Sequence, residues 1–470
     1  MKVGILGLGL IGGSLARAYA LHGHTVYAKN RSDSILSFAM LSGAVHGKLD
    51  AQTIPQCDLI LLEQEGIAVH YEDRPELLPE DREETLVVYT PAIPAELGEL
   101  RKALDGGYRV VKRSRILGEI TRGQCCLAVA GTHGKTTTST LVAHILTQSG
   151  EGCSAFLGGI SRNYGTNLLM SHNPVVVAEA DEFDRSFHQL HPSIAAITAM
   201  DADHLDIYGD LAHVQEAYRI FASQVSDVLI HKLDLPLDSS VTSARMYSYH
   251  LDDPRADFHA SNLRLSPDGH YTYDLVTPQG EVKDIRVGTL GALNVENSVA
   301  AAAICLCHGV SPDALREAVG SFLGAKRRLE EYVNTPKLTF IDDYAHAPAE
   351  LAASIASIRE IFPGRQLTAI FQPHLYTRTR DFAPEFAQAL SLADRVVLLD
   401  IYPARELPIE GVSSEMILKD VKAPQKLLLH KEQLLEWVEK DSGADVVVTF
   451  GAGNIDRLVE PIAQIYNNRK

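Results

Sequence analysis

The chain has 470 residues, a formal charge of −17 and 46% hydrophobic residues, an ordinary soluble composition but too long for one core, so about three domains are expected. No apolar run reaches about eighteen residues, which excludes a membrane-spanning helix, and the N-terminus opens at once on a strand without the pattern of an export signal. A cytoplasmic protein is expected, and its acidity disfavours nucleic acid as a partner while requiring anionic substrates to meet locally positive sites.

Six cysteines, Cys57, Cys125, Cys126, Cys153, Cys305 and Cys307, show no paired C-x-x-C spacing. Neither a structural zinc nor a disulfide scaffold is indicated, and buried free thiols are expected.

Val3 to Leu6 reads as a short strand, followed by Gly7-Leu-Gly9-Leu-Ile-Gly12-Gly13 and a helix from Ser14. In such a dinucleotide-type turn Gly7, Gly9 and Gly12 let the backbone approach a diphosphate. The next strand, His24 to Ala28, runs into Lys29-Asn30-Arg31-Ser32 and lacks the acidic residue that would grip a ribose diol. Residues 1 to about 62 resemble the cofactor half-domain of prephenate and other NAD(P)-dependent dehydrogenases. From about Glu63 the character changes, and a further strand is expected at Leu86 to Tyr89.

The stretch Cys125 to Gly150 carries the strongest signal: an apolar strand, Leu127 to Ala130, a glycine-bounded turn, and helical spacing from Ser139 to Leu146. Backbone N–H groups over Gly131, Thr132, His133, Gly134, Lys135 and Thr136 would converge on phosphate at the positive end of the helix. Lys135 adds a mobile charge and the Thr136 hydroxyl is placed to hold Mg²⁺; the motif is a shortened form of the phosphate loop, with Val129 at the usual first glycine. Arg162-Asn163-Tyr164-Gly165-Thr166-Asn167 is a polar loop with side chains suited to a sugar or phosphate, or to a solvated turn.

Two apolar strands then end in acidic clusters: Val175 to Ala178 delivers Glu179-Ala-Asp181-Glu182-Phe-Asp184-Arg185-Ser186, and Ile194 to Ala199 delivers Asp201-Ala-Asp203-His204. Strand carboxyl ends line the crevice of a parallel sheet, so both clusters should face the phosphate loop, and oxygen ligands beside phosphate suit Mg²⁺. Leu263 to Leu265, Tyr271 to Leu275 and Val282 to Val287, separated by Pro-Asp-Gly and Pro-Gln-Gly, read as a small antiparallel sheet. Asn294 and Asn297 open the helix Val299 to Cys307.

Beyond the basic segment Lys326-Arg327-Arg328, strands at Leu338 to Ile341, Leu367 to Phe371, Val396 to Leu399 and Val446 to Phe450 alternate with helices, a second doubly wound sheet. Its strand ends carry Asp342-Asp343-Tyr344-Ala345-His346, then Gln372-Pro-His374-Leu-Tyr376-Thr377-Arg378, then Asp400-Ile-Tyr402. The fold class is therefore α/β in three domains: a Rossmann-like one at 1–114, a central phosphate-loop domain with a parallel sheet and a small antiparallel sheet at 115–323, and a Rossmann-like one at 324–470.

In this order the phosphate loop, EADEFDRSF, DADHLDIYG, N-x-x-N, AKRRLE, DDYAHAP, FQPHLYTRTRDF, DIYPARELPIEGVSSE and GAGNID resemble the Mur ligase family over roughly residues 63 to 470. The last four motifs are most similar to the branch that joins L-alanine to UDP-N-acetylmuramate. That resemblance implies an ATP-dependent, ADP-forming ligase of peptidoglycan precursor synthesis that acts through an acyl phosphate, with ATP and Mg²⁺ bound and a monomer or homodimer as the assembly. It implies that Gly131 to Thr137 cradle ATP with Lys135 on the transferred phosphate, and that Asn294, Asn297, Arg328 and Asp343 contact the nucleotide. Thr136, Glu179 and His204 would ligate Mg²⁺. His346, His374 and Arg378 would surround alanine, with His346 or His374 accepting the amine proton. Gly7, Gly9, Gly12, Asn163, Asn167, Arg185 and Ser186 are further substrate-binding candidates. The motifs differ from the family pattern at Leu293 and Ala347, where histidines are usual. Competing readings are a recycling ligase that adds a tripeptide to the same sugar, an NAD(P)-dependent oxidoreductase, and a nucleotide-binding module without turnover.

Overall fold

The computed structural model describes residues 2–6, 25–29, 47–48, 59–60, 73–90, 93, 96–202, 204–404 and 406–469. The chain forms two compact units, Met1–Arg113 and Ser114–Lys470. In the first, the strands Gly47–Lys48, Thr25–Lys29, Lys2–Leu6 and Leu59–Ile60 lie in that order in one parallel sheet. This order, with the first strand between the second and the fourth, is that of one half of a doubly wound sheet. The Gly7-to-Gly12 turn, the helix expected from Ser14, and Asn30 lie outside the described residues. A separate parallel pair joins Leu86–Tyr89 to Arg109–Lys112.

The second unit contains two sheets. The first has ten strands, in which Ser154–Phe156, Val175–Ala180, Cys125–Ala130, Ile194–Ile197, Val228–Lys232, Arg245–His250 and Phe258–Leu265 run parallel. The three antiparallel segments expected near residue 270 are present as Phe258–Leu265, His270–Thr277 and Gly280–Leu290; they extend the parallel sheet, to which Tyr249 and Phe258 connect them.

Period-two alternation explains its core. Leu127 and Val129 face the helices Lys135–Gln148 and Ala292–His308, whereas Cys126, Ala128 and Ala130 face Phe187, Tyr218 and Phe221. Each buried Leu or Val contributes roughly 1.5–3 kcal/mol. The phosphate-loop strand is thus covered on both faces, which suits its continuous apolar run.

The second sheet orders Glu330–Asn334, Thr339–Asp343, Val446–Phe450, Leu367–Phe371, Arg395–Leu399 and Gln425–Leu429, with only the first pair antiparallel. Side chains such as Ile341, Ala369 and Val448 fill one face, and Phe340, Ile370 and Val447 the other. Within this unit the segment between the sheets is pinned: Lys326 N–H donates to Ile160 O at 2.9 Å, Arg162 N–H to Gly324 O at 3.0 Å, and Arg162 Nε pairs with the buried Glu330 at 2.9 Å.

His144, on the helix that follows the phosphate loop, is 1% exposed, between the Tyr164 hydroxyl at 2.9 Å and Ser321 Oγ at 3.0 Å. Burial pushes its pKa from 6.5 down to about 4. Between those values the unfolded chain binds the extra proton, so the contribution to stability is complete above pH 6.5 and is lost as pH falls towards 4. Chemical denaturation should show the wild type losing roughly 3 kcal/mol over that window that His144→Gln does not lose. Equal acid slopes in the two proteins would contradict the assignment.

Candidate active site at the phosphate loop and the second sheet

The strand Cys125–Ala130 ends at Gly131, and the helix Lys135–Gln148 begins four residues later. Two glycines make this turn: Gly131 has φ +136 and Gly134 φ +81. The floor of the loop is the neighbouring strand end, where Thr198 Oγ1 donates to Ala130 O at 3.1 Å and also to His133 O, and Thr132 N–H donates to Ala199 O at 3.3 Å. The helix starts at Lys135 rather than Ser139, so its unpaired first N–H groups fall within the expected loop sequence. Thr137 is half-buried in that first turn, and His133 is exposed with Nε2 3.5 Å from Asp201.

Lys135 Nζ donates to Gly131 O at 2.7 Å and lies 2.8 Å from each carboxylate oxygen of Glu182. Glu182 is buried, and sequence reasoning quoted it without giving it a role. Its backbone carbonyl is held by the Tyr208 hydroxyl at 2.6 Å. The segment after it contains two successive left-handed residues, Asp184 (φ 53) and Arg185 (φ 54), a costly conformation for non-glycine residues. Arg185 lies with its guanidinium 5.3 Å from the Tyr208 ring centroid, and Ser186 is half-buried in the same turn.

Glu179 sits inside the strand Val175–Ala180, opposite Val129, and so points to the helix face of the sheet. Its oxygens accept from Thr136 Oγ1 at 3.0 Å and Gly158 N–H at 2.8 Å. Burial raises its pKa, opposed by Gly158, Thr136 and Lys135. A half-buried carboxylate touching the loop threonine is a fitting pair of oxygen donors for a hard cation.

His204 comes close by another route: its ring packs edge-on against Phe183, next to Glu182, with centroids 5.2 Å apart. Among the described residues no three His, Cys, Asp or Glu side chains form a metal-ligating group. Asp203 lies outside the described residues.

Asn294 and Asn297 reach the loop from behind. Asn297 donates to Asn294 Oδ1 at 3.1 Å and accepts from Thr138 Oγ1 at 3.4 Å, while Asn294 donates to Leu290 O at 2.8 Å. Both are buried, and a Cβ on Gly134 would meet Asn297 Oδ1 at 2.7 Å. They brace the turn.

Three residues expected at ligands also make contacts within the chain. Asn163 donates to Ser321 O and accepts from Leu323 N–H, both at 2.9 Å, so its amide ties the polar loop to the chain. Asn167 contributes its carbonyl to Leu157 N–H at 3.0 Å. Asp343 is buried with its oxygens accepting from Leu329 N–H at 2.8 Å and Ala345 N–H at 2.9 Å, and so orders the segment that carries Arg328. Arg328 is exposed, 5.9 Å from the Tyr344 ring centroid.

On the second sheet, the ends of the strands Thr339–Asp343 and Leu367–Phe371 bring His346 and His374 together, ring centroids 6.2 Å apart. His374 stacks on Tyr402 at 5.8 Å, a partner left unassigned in the linear sequence. His346 Nδ1 lies 3.2 Å from Glu350 and 3.1 Å from Tyr344 O. Burial lowers its pKa; Glu350 opposes this and Arg378 adds to it. Arg378 Nη1 is buried with no hydrogen-bond partner among the described residues. A buried guanidinium N–H in that state is suited to receive an anion.

A phosphate loop backed by a strand-end carboxylate, joined to a second parallel sheet with paired histidines, defines a nucleotide-dependent ligase class. The chain belongs to the Mur ligase family: the Mur ligase middle domain matches residues 129–305, and the Mur ligase glutamate ligase domain matches residues 327–453. It is 48% identical over 408 residues to the UDP-N-acetylmuramate--L-alanine ligase of Porphyromonas gingivalis, covering 85% of this chain and 89% of that protein. The protein of the same name from Flavobacterium johnsoniae is 41% identical over 469 residues, 99% of this chain and 97% of the relative, so the first sixty residues are inside that alignment. A crystal structure of a UDP-N-acetylmuramate-alanine ligase from Thermotoga maritima shares the fold with a TM-score of 0.70 at 22% identity, with 100% of both chains covered.

A Cβ on Gly131 would lie 2.0 Å from Thr198 Oγ1 and 2.7 Å from Ala199 N, in addition to the backbone strain. Gly131→Ala should therefore destabilise the protein by about 2–4 kcal/mol and weaken ATP binding more than tenfold. Gly165→Ala, also at positive φ but with nothing within 4 Å of the new Cβ, should cost only about 1 kcal/mol and leave ATP affinity intact. Thermal melts and nucleotide titration distinguish the two.

Proposed function

We propose that the protein joins L-alanine to UDP-N-acetylmuramate at the expense of ATP, releasing ADP and phosphate. The observation that carries this reading is the Lys135, Thr136 and Glu179 cluster at the phosphate loop, in a chain 48% identical to a protein of that named activity. Carboxylate and triphosphate repel by about 4 kcal/mol per unit-charge pair at 4 Å and an effective dielectric near 20. Lys135 would leave Glu182 for the transferred phosphate and offset part of that repulsion. Thr136 and Glu179 would hold Mg²⁺, which when bound supplies the remaining charge neutralisation. The sugar carboxylate then takes the γ-phosphoryl group and the alanine amine displaces phosphate, with positioning and charge neutralisation carrying most of the catalysis. The buried Nη1 of Arg378 is suited to the carboxylate of alanine, and Asn294 and Asn297 would border the adenine. A cytoplasmic location fits these substrates.

Phosphate release should be stimulated by alanine together with UDP-N-acetylmuramate, by at least tenfold over a tripeptide at equal concentration. The opposite preference would favour the recycling ligase. Residues 1–62 inside an alignment with a ligase give no support to the oxidoreductase reading.

The attacking amine must be neutral. His346, kept below its ordinary 6.5, is uncharged at pH 7 and can accept the proton. The kcat/KM for alanine should fall below pH 6.5 in the wild type, and the double variant His346→Gln, His374→Gln should lose at least about tenfold at pH 7.5. A smaller loss removes both from proton transfer.

A further inference from the structure

The end of the first sheet opposite the phosphate loop holds a cluster that the ligase reading does not use. Cys125 begins the strand that leads to Gly131, and His308 is the last residue of the helix Ala292–His308. Cys125 Sγ lies 3.6 Å from His308 Nδ1, and His308 Nε2 lies 2.8 Å from Glu151 Oε1. Thiol, imidazole and carboxylate thus stand in line, with each ring nitrogen given to one partner. We propose that Cys125, His308 and Glu151 form a thiol modification site, at which Cys125, hydrogen-bonded to the His308 imidazole, is modified by small electrophiles.

Three features support this. The C-terminal end of a helix favours a cation, and His308 sits in that last turn. Glu151 orients the ring from its far side and favours its imidazolium form beside the sulfur. Cys125 and then Glu151 pull the His308 pKa up to about 9, against burial. Exposure is also graded. Cys125 is half-buried and Glu151 is 35% exposed, whereas Cys126, Cys153 and Cys305 are buried. Cys307 is the other half-buried thiol among the described residues, yet burial pushes it up to about 11, and the charged groups acting on it are Arg245 and Asp227. It serves as an internal comparison.

With iodoacetamide as probe, sulfur attacks the carbon bearing iodine, an S–C bond forms, and iodide leaves with the bonding electrons. Peptide mass spectrometry of the intact, folded chain at pH 7 should show Cys125 alkylated at least about tenfold faster than Cys307. His308→Asn should slow Cys125 by about tenfold at pH 7 while leaving the Cys307 rate unchanged. Glu151→Gln should slow it severalfold while the chain keeps its circular dichroism spectrum and cooperative unfolding, which separates the effect from unfolding. Alkylation of Cys125 no faster than Cys307, or a rate unchanged in both variants, would overturn the proposal.

Discussion

Burying the carboxylate of Glu182 is costly unless a cation goes with it, and Lys135 is that cation, 2.8 Å away with 15% of its side chain exposed. The rest of the site is arranged around this pair. The left-handed residues Asp184 and Arg185 turn the chain so that Glu182 points back at the loop, Tyr208 fixes its carbonyl, and the loop conformation brings Gly131 O to the same ammonium. Under the proposed function, an incoming phosphate would compete with Glu182 for a lysine that is already positioned. A preorganised cation needs little rearrangement when charge arrives, which is where electrostatic catalysis gains most.

A second constraint is the parity of the strand Val175–Ala180. Alternation places Glu179 on the same face as Val129 and Val177, under the start of the helix, and so beside Thr136. A shift of one residue would turn it to the face that holds Phe187 and Tyr218, away from the loop. Gly158 belongs to this arrangement as well, because a Cβ there would come within 2.4 Å of the Glu179 carboxylate.

The second sheet supplies a different chemistry, a half-buried imidazole pair and a guanidinium with a free donor. Its connection to the first sheet is short and well tied. Arg327 donates to the buried Asp342 at 3.0 Å, Asp342 also accepts from Thr449 Oγ1 at 2.6 Å, and burial holds its pKa up at about 6. These contacts, with Arg162 on Glu330, order the basic segment Lys326-Arg327-Arg328.

Much of this was legible in the chain. The strand, turn and helix of the phosphate loop follow from an apolar run, two glycines and helical spacing, and the strands Leu367–Phe371 and Val446–Phe450 coincide with the expected ones. Strand ends carrying acids and histidines were identified because side-chain type and sheet direction are local properties. Which of these polar groups is bound by another part of the chain was not, because that depends on segments distant in sequence. Asn163 meets Ser321 and Leu323 from 158 and 160 residues away, and Cys125 meets His308 across 183. The sequence by itself determined the elements, their order and the chemical character of each loop; only the tertiary structure decided the partners, because burial and hydrogen bonding are settled by segments that become neighbours when the sheets form.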